Sequence, residues 1–217
     1  MTRDEGRMAR RGRKPQMPPE ERVAAILDAA ERVLARDGLR GATMAAFAAE
    51  AGMSKRTLYG AFSGRDALLV ACMRRLRSSV MRPPGPGAQD LPLAERLFRL
   101  LLPDPAFMAS SLPIEIIRAV IAEAPHHPEL AAAFLEEGPL AAHRLIRDEL
   151  ERAAARGEVT IDDPDFAAVL LHDMAYNGLL EKLIAPERRT PGADTAAARL
   201  RTAIAVFLHG ISAAREV

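Results

Sequence analysis

The sequence predicts an all-α fold. Across the 217 residues, apolar side chains recur at spacings of three and four, the period of a helix with one buried face. Valine, isoleucine and threonine do not alternate with polar residues, as they would in a half-buried strand. Hydrophobic residues make up 49% of the chain, which is enough to bury a substantial core.

Four helices are expected before residue 83. They are expected to begin after Pro18, Thr43, Ser54 and Gly64. Thr43 and Ser54 carry side-chain oxygens that can accept a hydrogen bond from the first turn of the helix that follows. Gly38 and Gly52 end the first two helices, and the third, which begins after Ser54, is very short.

A proline- and glycine-rich run at residues 83–87 separates these helices from the rest of the chain. Further helices are predicted over residues 91–102, 112–123, 129–137, 139–156, 164–184 and 195–214. Gly157 ends one of them, and Asp162 or Asp163 caps the next. We therefore expect a basic arm at residues 1–17, a first helical domain at 18–82 and a second at 83–217.

Charge is distributed unevenly between these parts. Residues 1–82 hold 17 basic and 9 acidic side chains, whereas residues 83–217 hold 13 basic and 20 acidic ones. A basic first third indicates that this end of the chain meets a polyanion. The single cysteine, Cys72, is expected to be a buried thiol, and the chain shows neither a signal region nor an apolar membrane span. We therefore expect a cytoplasmic protein with no membrane partner.

The second and third helices have the form of a helix-turn-helix, because both are short and a glycine-containing turn joins them. Apolar residues are expected to pack the pair against the first helix: Phe47, Ala48, Met53 and Leu58. Lys55, Arg56, Thr57 and Tyr59 are then free to project into a DNA major groove.

The chain from residue 26 to residue 69 resembles the DNA-binding domain of the TetR/AcrR family of transcriptional regulators. The family's pattern A-x-x-x-G-V-S-x-x-T-L-Y-x-x-F-x-x-K-x-x-L is matched by Ala48, Gly52, Met53, Ser54, Thr57, Leu58, Tyr59, Phe62, Arg65 and Leu68. Met53 replaces the usual valine and Arg65 the usual lysine. Gly60 and Ala61 stand where the family often has histidine or an aromatic residue.

This resemblance implies a homodimer whose short helices bind successive major grooves of a palindromic operator, most often as a repressor, and a small-molecule effector that releases it. The residues implied in DNA binding are Thr43, Ser54, Lys55, Arg56, Thr57, Tyr59 and Arg65, with Thr43 and Arg65 assigned to phosphates. The basic arm adds Arg11, Arg13 and Lys14, which would lie in a minor groove or along phosphates. The alternative for the arm is a solubilising tail.

The second domain resembles that of an AefR-like branch of the same family over residues 116–184. Its last two helices are apolar on more than one side, which predicts a dimer interface that includes Phe166, Leu170, Leu180, Ile204, Phe207, Leu208 and Ile211. The alternative is that both are central helices of a monomer. Candidates for lining an effector pocket are Phe98, Phe107, Met108, Phe134, His143, His172, Met174, Tyr176 and Asn177. The alternative for each is structural, since Phe and Met at helical spacing are usually core residues and a lone His is more often hydrogen-bonded within the fold.

An enzyme and a DNA-packaging protein are the alternatives to a regulator. No catalytic motif is present, and His172 and Asp173 are adjacent on a helix, so their side chains diverge. A metal site is not expected, since His126 and His127 have no third ligand at a suitable spacing, and no cofactor is implied. A DNA-packaging protein that ignores sequence is the remaining alternative, and it differs from a regulator in having no preferred operator.

Overall fold

The computed structural model describes residues 17–83, 85, 87–105, 112–176, 178–185 and 193–213. Within them, the chain forms eleven α-helices and no strand. The helices are α1 (Pro19–Gly41), α2 (Met44–Glu50), α3 (Lys55–Ala61), α4 (Arg65–Val80), α5 (Leu93–Leu101), α6 (Leu112–Glu123), α7 (Pro128–Glu137), α8 (Pro139–Ala155), α9 (Pro164–Ala175), α10 (Leu179–Ile184) and α11 (Ala193–Ala213). The predicted all-α fold is confirmed.

Predicted capping residues stand at several helix starts. The backbone N–H of Ala46 donates to the hydroxyl of Thr43 over 3.1 Å, and that of Phe166 donates to Asp163 over 2.9 Å. Asp163, rather than Asp162, is therefore the cap of α9. Gly38 interrupts the helical path of α1 with φ 64° and ψ −169°, so the chain bends where the sequence predicts an end.

One helix prediction is wrong in its extent. The sequence predicts a single helix over residues 164–184, but the structure divides it into α9 and α10. The helix ends after Ala175, and Gly178 then adopts a left-handed conformation with φ 78°. The guanidinium of Arg118 on α6 donates to the carbonyl of Leu183 over 2.5 and 3.0 Å, which holds the end of α10 on a helix distant in sequence.

The described helices pack around two hydrophobic clusters. The division between these clusters does not fall at the linker of residues 83–87, because the first cluster includes residues from both sides of it. The first cluster contains the buried faces of α1 to α4 together with Ile116 and Val120 of α6 and Leu130 of α7. The second joins α5, α8, α9 and α11. Cys72 is buried in the first cluster, and its burial raises the pKa of the thiol to about 12. The core of α1 to α4 therefore continues into helices that follow residue 87.

Ion pairs connect the same parts of the chain. Arg74 of α4 donates to Glu137 of α7 over 2.5 Å, and Arg77 lies 3.8 Å from the same carboxylate. Within the second cluster, Arg96 of α5 is bonded to Glu149 of α8 over 2.6 Å. None of the described helices has both the length and the apolar composition that crossing a membrane requires.

Candidate nucleic-acid interface

The structure builds a helix-turn-helix from α2 and α3. Between them, Gly52 adopts φ 63°, a conformation that a side chain disfavours, and the N–H of Met53 donates to the carbonyl of Ala48 over 2.9 Å. Ser54 then begins α3 by accepting a hydrogen bond from the N–H of Thr57 over 3.1 Å. This tight turn fixes the direction in which α3 leaves α2.

Packing determines which side of α3 faces outward. Leu58 is completely buried with Phe47 and Ala48 in the first cluster, as predicted. A helix of seven residues is too short to be stable alone, so these contacts hold it in place. Lys55 and Arg56 are exposed on the same helix, and the side chain of Tyr59 is 55% exposed. The buried position of Leu58 and the exposure of Lys55, Arg56 and Tyr59 agree with the prediction, and the contact of the exposed side with a DNA groove stays a prediction.

Ion pairing distinguishes the cations of α3 from those of α1 and α4. Arg32 and Arg36 of α1 both donate to Glu50 of α2, over 2.7 and 2.9 Å. Arg75 of α4 pairs with Asp28, and its neighbour Arg74 pairs with Glu137.

Lys55 and Arg56 have no hydrogen-bond or ion-pair partner in the part of the chain that the structure describes. Unpaired positive charge is therefore available at the exposed start of α3, where a DNA phosphate or base can accept hydrogen bonds from it.

The hydroxyls predicted to bind DNA are partly used within the fold. Thr43 accepts the capping bond from Ala46, and its own hydrogen remains available for an acceptor such as a phosphate oxygen. The hydroxyls of Ser54 and Thr57 share a hydrogen bond of 2.8 Å. Thr43 is thus free to donate outward, whereas Ser54 and Thr57 mainly stabilise the first turn of α3.

Arg65 occupies a different position from the other predicted DNA contacts. Its Nε donates to the carbonyl of Ala42 over 2.6 Å, and its Nη2 donates to the carbonyl of Leu39 over 2.8 Å. Its remaining nitrogen, Nη1, lies 3.6 Å from Asp66. Two of its three nitrogens therefore donate within the protein, although the family resemblance assigns it to a phosphate.

Sequence reasoning missed two side chains beside this surface. Glu50 links α2 to α1 through Arg32 and Arg36, and no local pattern indicates this role. Arg40, close to Thr43, has a side chain that is 95% exposed, with Glu123 3.9 Å away. Basic charge before the second helix is the signal that could have identified Arg40. The arm residues Arg11, Arg13 and Lys14 lie outside the described residues.

Three of the effector-pocket candidates meet between α8 and α9. The rings of His143 and His172 are 4.7 Å apart and nearly perpendicular, and the ring of Tyr176 lies 5.1 Å from that of His172. The Tyr176 hydroxyl donates to the carbonyl of Leu101 over 2.5 Å. His143 Nε2 and His172 Nδ1 are buried and make no hydrogen bond, although His172 Nδ1 lies 3.6 Å from Asp173 Oδ1, so the side chains of His172 and Asp173 do not diverge as predicted. Buried nitrogens of this kind are uncommon and can mark a polar ligand site.

Burial lowers the pKa of His172, and the neighbouring His143 lowers it further, whereas Asp173 acts in the opposite direction. Burial also raises the pKa of Tyr176. Both groups are therefore held in their neutral forms near neutral pH.

The other pocket candidates do not all join this group. Phe98 and Met174 belong to the same second cluster, with Arg201 3.6 Å above the Phe98 ring. Phe134 packs against the first cluster instead. Phe107, Met108 and Asn177 lie outside the described residues. Two open surface depressions in the described part of the chain, of about 650 and 200 Å³, are lined by none of the predicted pocket residues.

The dimer candidates divide into outward- and inward-facing residues. Phe166 and Leu170 on α9 are exposed, as is Leu180 on α10. Ile204 and Phe207 are buried in the core of their own chain, so their assignment to a dimer interface is corrected. Leu208 packs partly against that core, and the side chain of Ile211 lies outside the described residues. Val206 is exposed on α11, a helix that packs against α9.

These features define a helix-turn-helix protein of the DNA-binding class. The described residues contain no group of three or more His, Cys, Asp or Glu side chains that could hold a metal ion. Residues 26–72 match the model of the TetR family of bacterial regulatory proteins, and residues 95–210 match that of the C-terminal domain of AefR-like transcriptional repressors. The chain belongs to the TetR family of transcriptional regulators.

Solved structures agree with this assignment. A TetR transcriptional regulator from Agrobacterium tumefaciens is 26% identical, with a TM-score of 0.66, and the match covers 87% of this chain and 93% of that one. The flavonoid-responsive regulator FrrA is 24% identical, with a TM-score of 0.63 and coverage of 88% and 97%. A TetR-family regulator from Pseudomonas syringae pv. tomato is 22% identical, with a TM-score of 0.60 and coverage of 87% and 95%.

No curated protein sequence matches the chain. The family consists of transcriptional regulators that bind DNA, typically dimerise and bind ligands, and are generally not enzymes.

Proposed function

We propose that the protein is a homodimeric repressor that binds a palindromic operator and leaves it when a small-molecule effector binds. The observation that carries the DNA-binding part is the unpaired charge of Lys55 and Arg56 on the exposed side of α3. Both can donate to guanine O6 and N7 in the major groove, while Thr43 donates to a phosphate. Arg11, Arg13 and Lys14 of the arm add contacts that depend on salt concentration.

The proposed dimer interface lies on the outer faces of α9 and α11. Phe166, with 64% of its surface exposed, lies on the same helix as exposed Val169 and Leu170, and Val206 is exposed on the adjacent α11. Large apolar side chains clustered at a surface favour a protein partner. Binding to adjacent major grooves requires that a two-fold axis through these faces set the two copies of α3 about 34–36 Å apart.

The proposed effector site includes His143, His172 and Tyr176. The two buried ring nitrogens that make no hydrogen bond supply a donor or an acceptor beside an otherwise apolar cluster, as in most small-molecule sites. An effector that binds better to a dimer with a different spacing of the two α3 helices would lower operator affinity.

The test begins with DNA duplexes that the wild-type protein selects from a randomised library. In a gel-shift assay with excess competitor DNA, the double variant Lys55→Ala/Arg56→Ala should lose binding to the selected duplex. Helicity and dimer mass should be unchanged, because both side chains are exposed and unpaired. A matched control removes equal charge from the second domain: Arg99→Ala/Arg144→Ala, two exposed arginines that pair with Glu95 and Glu136.

Retained binding by the α3 variant would contradict the assignment of the site. A wild-type protein that selects no common sequence would instead support a DNA-packaging role. A monomeric mass in solution would contradict the two-fold arrangement.

A further inference from the structure

We propose that Arg65 positions the DNA-reading helices by clamping the corner between α1 and α2, and that it does not bind a phosphate. The proposal rests on the DNA-binding function proposed above. The corner runs from Gly38 to Thr43, and its buried residues Leu39 and Ala42 both present their carbonyl oxygens to Arg65.

The corner needs such a donor. A helix end leaves carbonyl groups without partners inside the helix, and leaving them unpaired in a buried position is costly. The peptide N–H of Ala42 supplies one bond within the corner, to the Leu39 carbonyl over 3.2 Å. Arg65 adds bonds to both carbonyls, at the first residue of α4. One guanidinium therefore joins the end of α1, the start of α2 and the start of α4.

The geometry of these bonds matches the shape of an arginine. Nε and Nη2 form one edge of the planar guanidinium, and each donates to a different carbonyl. A lysine, the residue usual at this position in the family pattern, carries all its donors on one nitrogen, so it lacks two separate donors along a rigid edge and would hold the two carbonyls less firmly. The third nitrogen faces Asp66, whose carboxylate would repel a phosphate at the same place.

The clamp acts on α3 through α2. The Ala42 carbonyl directly precedes Thr43, the cap of α2, so the clamp fixes where α2 begins. The turn at Gly52 and the packing of Leu58 make α2 and α3 move together. Releasing the clamp would shift Lys55 and Arg56 relative to the base edges without removing either cation.

The experiment compares Arg65→Lys and Arg65→Met with the wild-type protein. Fluorescence anisotropy measures Kd for the duplex selected by the wild-type protein and for an unrelated duplex of equal length, over a series of salt concentrations. Arg65→Lys should weaken binding to the selected duplex by at least about ten-fold, the effect of misplacing one bidentate base contact. Its Kd for the unrelated duplex should stay within about two-fold, and its salt slope should match that of the wild type.

The control is Arg99→Lys, which changes an exposed arginine of α5 in the same way and should leave both affinities unchanged. A phosphate contact makes the opposite prediction. Arg65→Lys would then resemble the wild type, and Arg65→Met would weaken both duplexes and reduce the salt slope by about one.

That result would overturn the proposal, and so would a parallel loss of both affinities, which indicates damage to the fold. A wild-type protein that selects no duplex would instead refute the DNA-binding function on which the proposal rests.

Discussion

Replacing Arg96 should destabilise the second cluster more than replacing any exposed arginine near it. Arg96 is only 2% exposed and donates to Glu149 over 2.6 Å, to Glu158 over 2.8 Å and to the carbonyl of Leu91 over 2.5 Å. Arg96→Met keeps a similar apolar stem but removes all three bonds. The buried carboxylate of Glu149 would then lose its closest cation.

The size of the expected loss of stability depends on the cations that remain around Glu149. Removing one partner of a buried ion pair costs about 3–5 kcal/mol. Arg152 still donates to Glu149 over 2.8 Å, so the free energy of unfolding should fall by about 3 kcal/mol, the lower end of that range. In Arg96→Met/Glu149→Leu both buried charges are absent, and stability should return to within about 1 kcal/mol of the wild type.

Urea unfolding followed by far-ultraviolet circular dichroism measures these differences, since the chain has no tryptophan for fluorescence. Arg99→Met is the matched control: its arginine is exposed and pairs with Glu95 over 2.9 Å, so its effect should be below about 1 kcal/mol. An Arg96→Met protein as stable as this control would refute the reasoning. So would additive effects of Arg96→Met and Glu149→Leu, because coupled charges must give a large interaction energy.

Two further predictions concern α3 and the histidine pair. Leu58→Ala should lower the free energy of unfolding by about 2–5 kcal/mol, because Leu58 is completely buried; an unchanged urea midpoint would contradict the packing of α3. His172 has a lowered pKa in the folded protein, so its neutral form is favoured there and protonation favours unfolding. The wild-type Tm should therefore decrease as pH falls below about 6.5, and His172→Gln should weaken that dependence. If the Tm of His172→Gln changed with pH as much as that of the wild type, the pH dependence could not be assigned to His172.

Local chemistry explains why the helix-turn-helix could be predicted from sequence. Thr43 and Ser54 begin their helices with hydrogen bonds to residues three positions later, and Gly52 turns the chain between them. Each of these interactions joins residues close together in the chain, so it can be recognised from the sequence alone. The burial of Leu58 follows from the same short pattern.

The break between α9 and α10 could not be predicted in this way. The apolar pattern continues past Gly178, and a single glycine is tolerated inside many helices. What holds the shorter α10 in place is Arg118, which lies 65 residues away in sequence and bonds to the carbonyl of Leu183. Similarly, the periodicity of α11 identifies apolar residues but does not tell which side faces the chain's own core. Ile204 and Phe207 were therefore assigned to the wrong face.

The sequence also does not tell which basic residues of the first 82 are able to bind DNA. The excess of basic residues there predicts a polyanionic partner but does not show which of these side chains can reach it. Glu50 binds Arg32 and Arg36, which lie 18 and 14 residues before it, and these pairs arise only when α2 packs on α1. Arg65 is likewise committed to carbonyls 23 and 26 residues earlier. Pairing within the fold therefore distinguishes these arginines from Lys55 and Arg56, the unpaired charges on α3 that are proposed to bind DNA.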